Sequence, residues 1–305
     1  MRVVVAGGGS IGSLFAAHLA RVAEVTVLTR REEHAAALRM NGLRVSGRAE
    51  FTAPVDATAD PGALGEAELA ILATKGTDLE PLAAQLEGRL AGATVMTVQN
   101  GLGAEEIVGA HGDWPLLSSV TFMSGTRHGD THVEYVLDTA TWIGPNRGTT
   151  HADAIRVAEL VVSSGLKAEA FADLRPAQWS KLIFNATVNG VAALTELPHD
   201  FHFAETERLS DLGHLVRDLV DEGKDVARAA RVELHDDPWE MNVLATQRGF
   251  RHSPSMLEDV EARRPTELEL INGALVREAR RYGVPVPLHT AVYRLVKAKE
   301  ASYSE

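Results

Sequence analysis

The chain has no cysteine among its 305 residues. That excludes a disulfide framework, a thiolate metal site and a thiol nucleophile, and it suits a reducing, cytoplasmic setting. Long apolar runs are missing too: the opening MRVVVAGGGS carries one too short for a signal segment, and no stretch approaches the ~18 apolar residues of a membrane span. The expected state is a soluble, unprocessed protein with no membrane partner. Positive charge is scarce, 30 Lys and Arg against 42 Asp and Glu, for a formal net charge of -12. Such a surface repels polyanions, which argues against nucleic acid as a partner, and any anionic ligand must be held by local cations. Aromatics are few, and Trp114, Trp142, Trp179 and Trp239 are too scattered for a base-stacking platform, so they read as core or interface anchors. His199 and His202 have a spacing open to a metal, but no acid-and-histidine set completes a site; they read as loop residues, and no metal is expected.

What is present points to two domains. From residue 2 to about 171, short β-branched runs alternate with amphipathic segments, as a parallel sheet covered by helices requires. Strands are expected at Val3 to Ala6, Val25 to Thr29, Leu69 to Ala73, Thr94 to Val98 and Leu116 to Thr121. Helices are expected at Ile11 to Arg21, Glu32 to Met40, Asp78 to Leu90, Ala104 to Ala110 and His151 to Ser164. HVEYVL and TWIGP read as a hairpin or edge pair around Asp138. After Phe171 the strand signals fade, and Leu209, Leu212, Leu215, Val216, Leu219 and Val220 recur at helical spacing. Residues 172–305 are therefore expected to be nearly all helix, with Pro238, Pro254, Pro265, Pro285 and Pro287 near helix starts. The size and apolar content of this domain leave room for a homodimer.

Gly7, Gly9 and Gly12 fall in G-x-G-x-x-G spacing directly after the first strand and opening the first helix. In that context the glycines serve a tight turn, close backbone approach to a pyrophosphate, and helix packing, so Gly7, Gly8, Gly9, Ser10, Ile11 and Gly12 are the expected phosphate cradle of a dinucleotide. The second strand ends in LTRRE, where an acid would bind a ribose 2′-hydroxyl; Arg30 suits a 2′-phosphate instead, favouring NADPH over NADH, although Glu32 or Glu33 could still reach a ribose. Lys75, beyond the Leu69 to Ala73 strand, and Asn100, in the turn VQNGLG, sit where strand ends meet the ligand crevice.

WSKLIFNATVN places Lys181, Asn185 and Asn189 every fourth residue, on one helix face. Asn is a poor helix former and needs a reason to recur there. An ammonium beside two carboxamides suits a keto group and a carboxylate. Hydride delivery to a ketone builds negative charge on oxygen, which calls for a positioned donor. Read alone, Lys181 also fits a solvated helix face, Ser255 a helix start, and the acids of TELEL a helix's first turn.

GGGSIG, LTRR, TKG at 74–76, QNG at 99–101, WSKLIFNATVN, SMLEDV and TELELINGALVREARRYGVPVP together resemble the ketopantoate reductase family over nearly the whole chain. The resemblance implies a Rossmann-type N-terminal α/β domain, residues 1–171, followed by an all-α C-terminal domain, residues 172–305, with the active site in the cleft between them. It implies NADPH-dependent reduction of the 2-keto acid 2-dehydropantoate to pantoate, on the route to pantothenate and coenzyme A. By the same likeness Lys181 is the catalytic lysine and Glu267 its partner. Asn185, Asn189 and Ser255 hold the substrate's hydroxyl and carboxylate, Asn100 lies near nicotinamide and substrate, and Arg30 and Lys75 contact the 2′-phosphate. His252 stands where some members have asparagine. Another 2-keto acid is the alternative substrate, and a non-catalytic NADP-binding regulator the alternative class.

Overall fold

The computed structural model describes residues 1–204, 210–247 and 253–304. Leu209 of the helical pattern and His252 lie outside those residues. Two compact units form: Met1–Gln99 with Ala104–Leu174, and Asn100–Gly103 with Arg175–Glu305. The first runs past Phe171 because the Phe171 N–H donates to Ile143 O at 2.8 Å and Leu174 is buried against Gly144, where a Cβ would lie 2.5 Å from that of Leu174.

In the first unit the strands are β1 (Arg2–Ala6), β2 (Glu24–Leu28), β3 (Leu43–Gly47), β4 (Phe51–Ala53), β5 (Asp56–Thr58), β6 (Leu69–Leu72), β7 (Thr94–Thr97), β8 (Leu116–Thr121), β9 (Ser124–Arg127), β10 (His132–Leu137), β11 (Thr141–Pro145) and β12 (Ala168–Ala170). One sheet has the order β5-β2-β1-β6-β7-β8-β11-β12. It is parallel from β5 to β8, and β11 enters antiparallel. This is the expected Rossmann-type α/β arrangement, with the strand order reversing at β1, where the carboxyl ends form a ligand-binding edge. The helices are α1 (Ser10–Leu19), α2 (Glu32–Asn41), α3 (Leu79–Leu86), α4 (Ala104–His111) and α5 (His151–Ser163). The alternation of a strand divides β1 between two cores. Val3 and Val5 join Leu14 and Phe15 of α1 and Val157 of α5, while Val4 and Ala6 join Leu79, Leu82 and Leu86 of α3.

The hairpin expected around Asp138 does not form. β10 belongs to a second sheet, β4-β3-β10-β9, and β11 to the large one. Val133 and Tyr135 are buried in the core that holds Leu14. The Tyr135 hydroxyl donates to Asp138 at 2.8 Å, and Lys167 pairs with the same carboxylate, so the chain leaves one sheet at Asp138 before joining the other.

The second unit has no strand among its described residues. Its helices are α6 (Arg175–Thr195), α7 (Asp211–Ala229), α8 (Pro238–Thr246), α9 (Ser255–Glu261), α10 (Asn272–Tyr282) and α11 (Pro287–Ala301). The 21 residues of α6 are buried at most positions, because α7 to α11 all pack against it. Pro238 and Pro287 occupy first-turn positions, where a missing N–H is harmless. His199 lies in the connection after α6, as expected, yet it is buried, and its Nε2 lies 2.7 Å from Asn242 Oδ1. Among the described residues no helix is long and apolar enough to cross a membrane.

Candidate functional site

The glycine turn between β1 and α1 has the geometry its spacing predicts. Gly7 has φ +117, and a Cβ there would lie 2.8 Å from the Ala73 and Thr74 backbone. Gly12 passes so close that a Cβ would sit 1.9 Å from Gly7 O, whereas at Gly9 nothing comes within 4 Å. The turn is thus closed towards the protein at Gly7 and Gly12 and open at Gly9. Gly9 is the N-cap of α1 and makes no side-chain cap, so the N–H groups around Ser10 and Ile11 meet an approaching anion without a competing side chain. That cradle fits a dinucleotide pyrophosphate.

Arg30 follows β2 and Lys75 follows β6, the two strands flanking β1, so both stand at the edge that carries the glycine turn. Arg30 is 82% exposed and pairs with Asp78 at 3.2 Å; Lys75 is exposed and caps the short turn Gly76–Asp78. Arg31 turns elsewhere, donating to both carboxylate oxygens of Asp130 at 2.7 and 2.9 Å. Two further residues shape this region, Gln99 of the QNG stretch and Arg127, which carries no signal in the sequence. The Gln99 side chain donates to Leu72 O and Thr74 O at 2.8 and 2.9 Å, tying down the backbone on which Gly7 packs. Arg127, from the second sheet, donates to Gly8 O at 3.1 Å.

In the second unit, Asn100 joins two groups that lie far apart in sequence. Lys181 Nζ donates to Asn100 Oδ1 at 2.8 Å, and Asn100 Nδ2 donates to Glu267 Oε2 at 3.0 Å. Lys181 is only 9% exposed. Burial lowers its pKa to about 8, partly offset by the negative charge of Glu267. Asn185 and Asn189 share the buried face of α6 with Lys181, at 7% and 6% exposure. Asn189 Oδ1 accepts from the Met256 N–H at 3.4 Å, next to the exposed Ser255 that opens α9. The lysine row and Ser255 therefore meet within one unit.

Glu267 does not sit in a helix's first turn. Leu270 and Ile271 donate to Glu267 O, while Leu270 O accepts from the Leu102 N–H at 2.9 Å. Ile271 is non-helical, so α10 begins only at Asn272. The turn is fixed from both sides. Gly101 has φ +93, and a Cβ there would lie 1.8 Å from Leu270 O. The fully buried Asn272 donates to Ala186 O at 2.7 Å, pinning the start of α10 to α6. Asn272 stands within the stretch TELELINGALV, but its Asn-Gly pair reads equally as a surface turn, so its buried role had no mark of its own.

Residues 3–148 match the family described as ketopantoate reductase PanE/ApbA, and residues 173–300 match its C-terminal domain. The chain belongs to the ketopantoate reductase family. The family is one of oxidoreductases, and its members include a 2-dehydropantoate 2-reductase of Archaeoglobus fulgidus, 30% identical over 300 residues that cover 98% of each chain. A 2-dehydropantoate 2-reductase of Halobacterium salinarum is 30% identical over 308 residues, 97% of this chain and 98% of its own. Among solved structures, a PanE/ApbA family ketopantoate reductase from Ralstonia eutropha superposes with a TM-score of 0.90 at 27% identity over the full length of both chains. D-mandelate dehydrogenase with NADH and anilino(oxo)acetate gives a TM-score of 0.88 at 25% identity, again over both full lengths.

Proposed function

We propose that the protein reduces ketopantoate to pantoate with NADPH, Lys181 being the proton donor. The observation that carries this reading is the buried Lys181, held by Asn100 and electrically coupled to Glu267. When bound, the nicotinamide supplies the hydride. Glycines 7, 9 and 12 and the start of α1 hold the pyrophosphate, and Arg30 and Lys75 take the 2′-phosphate.

The protein's own work lies at the ketone oxygen. A pKa of about 8 leaves Lys181 roughly nine-tenths protonated at pH 7, so the ammonium can donate a hydrogen bond as charge builds on that oxygen and then release its proton. A lysine near its ordinary value would hold that proton more tightly. Asn100 fixes the direction of the ammonium, and Glu267 fixes Asn100 while holding the charge. Asn185, Asn189 and Ser255 bind the hydroxyl and carboxylate of the substrate, which orients its ketone.

The second reading keeps the chemistry and changes the acid. The likeness to a D-mandelate dehydrogenase and the histidine at position 252 favour another 2-keto acid. Loss of NADPH absorbance with purified protein and ketopantoate, beside NADH and a panel of 2-keto acids, separates the readings. NADPH-preferring turnover strongest on ketopantoate supports the first. Turnover confined to another acid supports the second, and tight NADPH binding without turnover on any acid points to a regulator.

A further inference from the structure

We propose that Arg127 is a further specificity residue of the dinucleotide site, reading the 2′-phosphate that separates NADPH from NADH, and that Asp130 positions it. The inference rests on the cofactor reading above and concerns the first unit alone.

Arg127 ends β9 in the small sheet, well outside the glycine motif in sequence. Its Nη1 nonetheless donates to the carbonyl of Gly8, between the first two motif glycines, at 3.1 Å. Its Nη2 lies 3.9 Å from Asp130 Oδ1. The same carboxylate accepts both bonds from Arg31 and lies 4.0 Å from His34 Nδ1. His34 closes the arrangement from below, for a Cβ on Gly8 would lie 2.6 Å from its ring.

One carboxylate therefore gathers two guanidinium groups, one following β2 and one reaching the glycine turn. The segment after β2 is where a dinucleotide fold distinguishes ribose from ribose 2′-phosphate. Arg127 is tied both to that segment, through Asp130 and Arg31, and to the turn that receives the neighbouring phosphates. Arg31 already engages both oxygens of that carboxylate, so Arg127, at 3.9 Å from it, keeps N–H donors to offer an extra phosphate. The side chain of Arg127 is 39% exposed, so it remains reachable by a ligand. Burial alone would push the Asp130 carboxyl up, but Arg31, His34 and Arg127 hold it below the usual range, keeping it an acceptor for its partners at neutral pH. A loop arginine merely capping the Gly8 carbonyl would need neither Asp130 nor the link to Arg31.

Nicotinamide fluorescence gives the affinity of each variant for NADPH and NADH without turnover. Arg127→Ala should weaken NADPH binding about tenfold and NADH binding by under about twofold, the difference expected for one charge-assisted contact to the extra phosphate. Arg127→Lys should recover part of the NADPH affinity, because it keeps the charge and loses the fork. Asp130→Asn should lower NADPH affinity by a smaller factor in the same direction. Equal losses for the two dinucleotides, or no loss for either, would overturn the proposal while leaving the cofactor reading intact. Wild-type protein that binds neither dinucleotide would instead overturn the cofactor reading.

Discussion

Lys181 shows how a few neighbours set the behaviour of one side chain. Withdrawal from water disfavours its charge, and Glu267 restores part of that charge. A general acid works only while protonated, so kcat/KM for ketone reduction should be level below pH 8 and fall as pH rises through about 8. Glu267→Gln removes the group that raises the lysine pKa, so the alkaline limb should move to lower pH; a pH–rate profile whose limb stays in place would refute the coupling. Lys181→Ala should cost about two to four decades in kcat, the span usual for a positioned acid. Full activity in a folded Lys181→Ala protein, checked by circular dichroism, would remove the assignment.

At the level of elements, the turn 100–103 and the turn 267–271 form a single device, and Gly101 is its pivot. Gly101→Ala meets both an unfavourable φ and an oxygen 1.8 Å from the new Cβ. It should destabilise the protein by about 2–4 kcal/mol and lower kcat by displacing Asn100, with denaturant unfolding and steady-state kinetics as the two readouts. Much of the fold was legible in the sequence for a plain reason: β1 and β6 are covered on both faces and carry the apolar runs VVVA and LAIL, while β7 and β8 are buried strands of apolar, Ser and Thr residues bounded by turn signals. β4, β5 and β12 are three-residue strands with exposed positions, too short for a period of two to stand out. HVEYVL and TWIGP were recognisable as strands, but their partners were not, because pairing across two sheets leaves no local mark. The lysine face was visible as a four-residue spacing. The bridge by Asn100 depends on contacts 81 and 167 residues away, which no window on the sequence spans.

On the scale of the whole molecule, buried histidines should weaken the fold in mild acid. His289 is fully buried with its Nε2 2.9 Å from Leu219 O, and burial holds its pKa near 4 rather than 6.5. His18 and His34 are lowered by burial as well. The unfolded chain binds more protons than the folded one in this range, so stability is complete above 6.5 and declines as pH falls towards 4. His289 alone would account for about 3 kcal/mol of that decline. The thermal midpoint should drop over this interval, and His289→Gln should flatten the slope; an unchanged slope would assign the loss to other groups. A different consequence follows from the tetrapeptide Asn100–Gly103, which belongs with residues 175 onward. The compact units are not contiguous in sequence. A single crossover after Leu174 between two diverged relatives would transmit Lys181 and Glu267 together but leave behind the asparagine that joins them. Every such chimera sets a lysine from one lineage on an amide turn from another, so shuffling at this joint tests their compatibility before any substrate is offered.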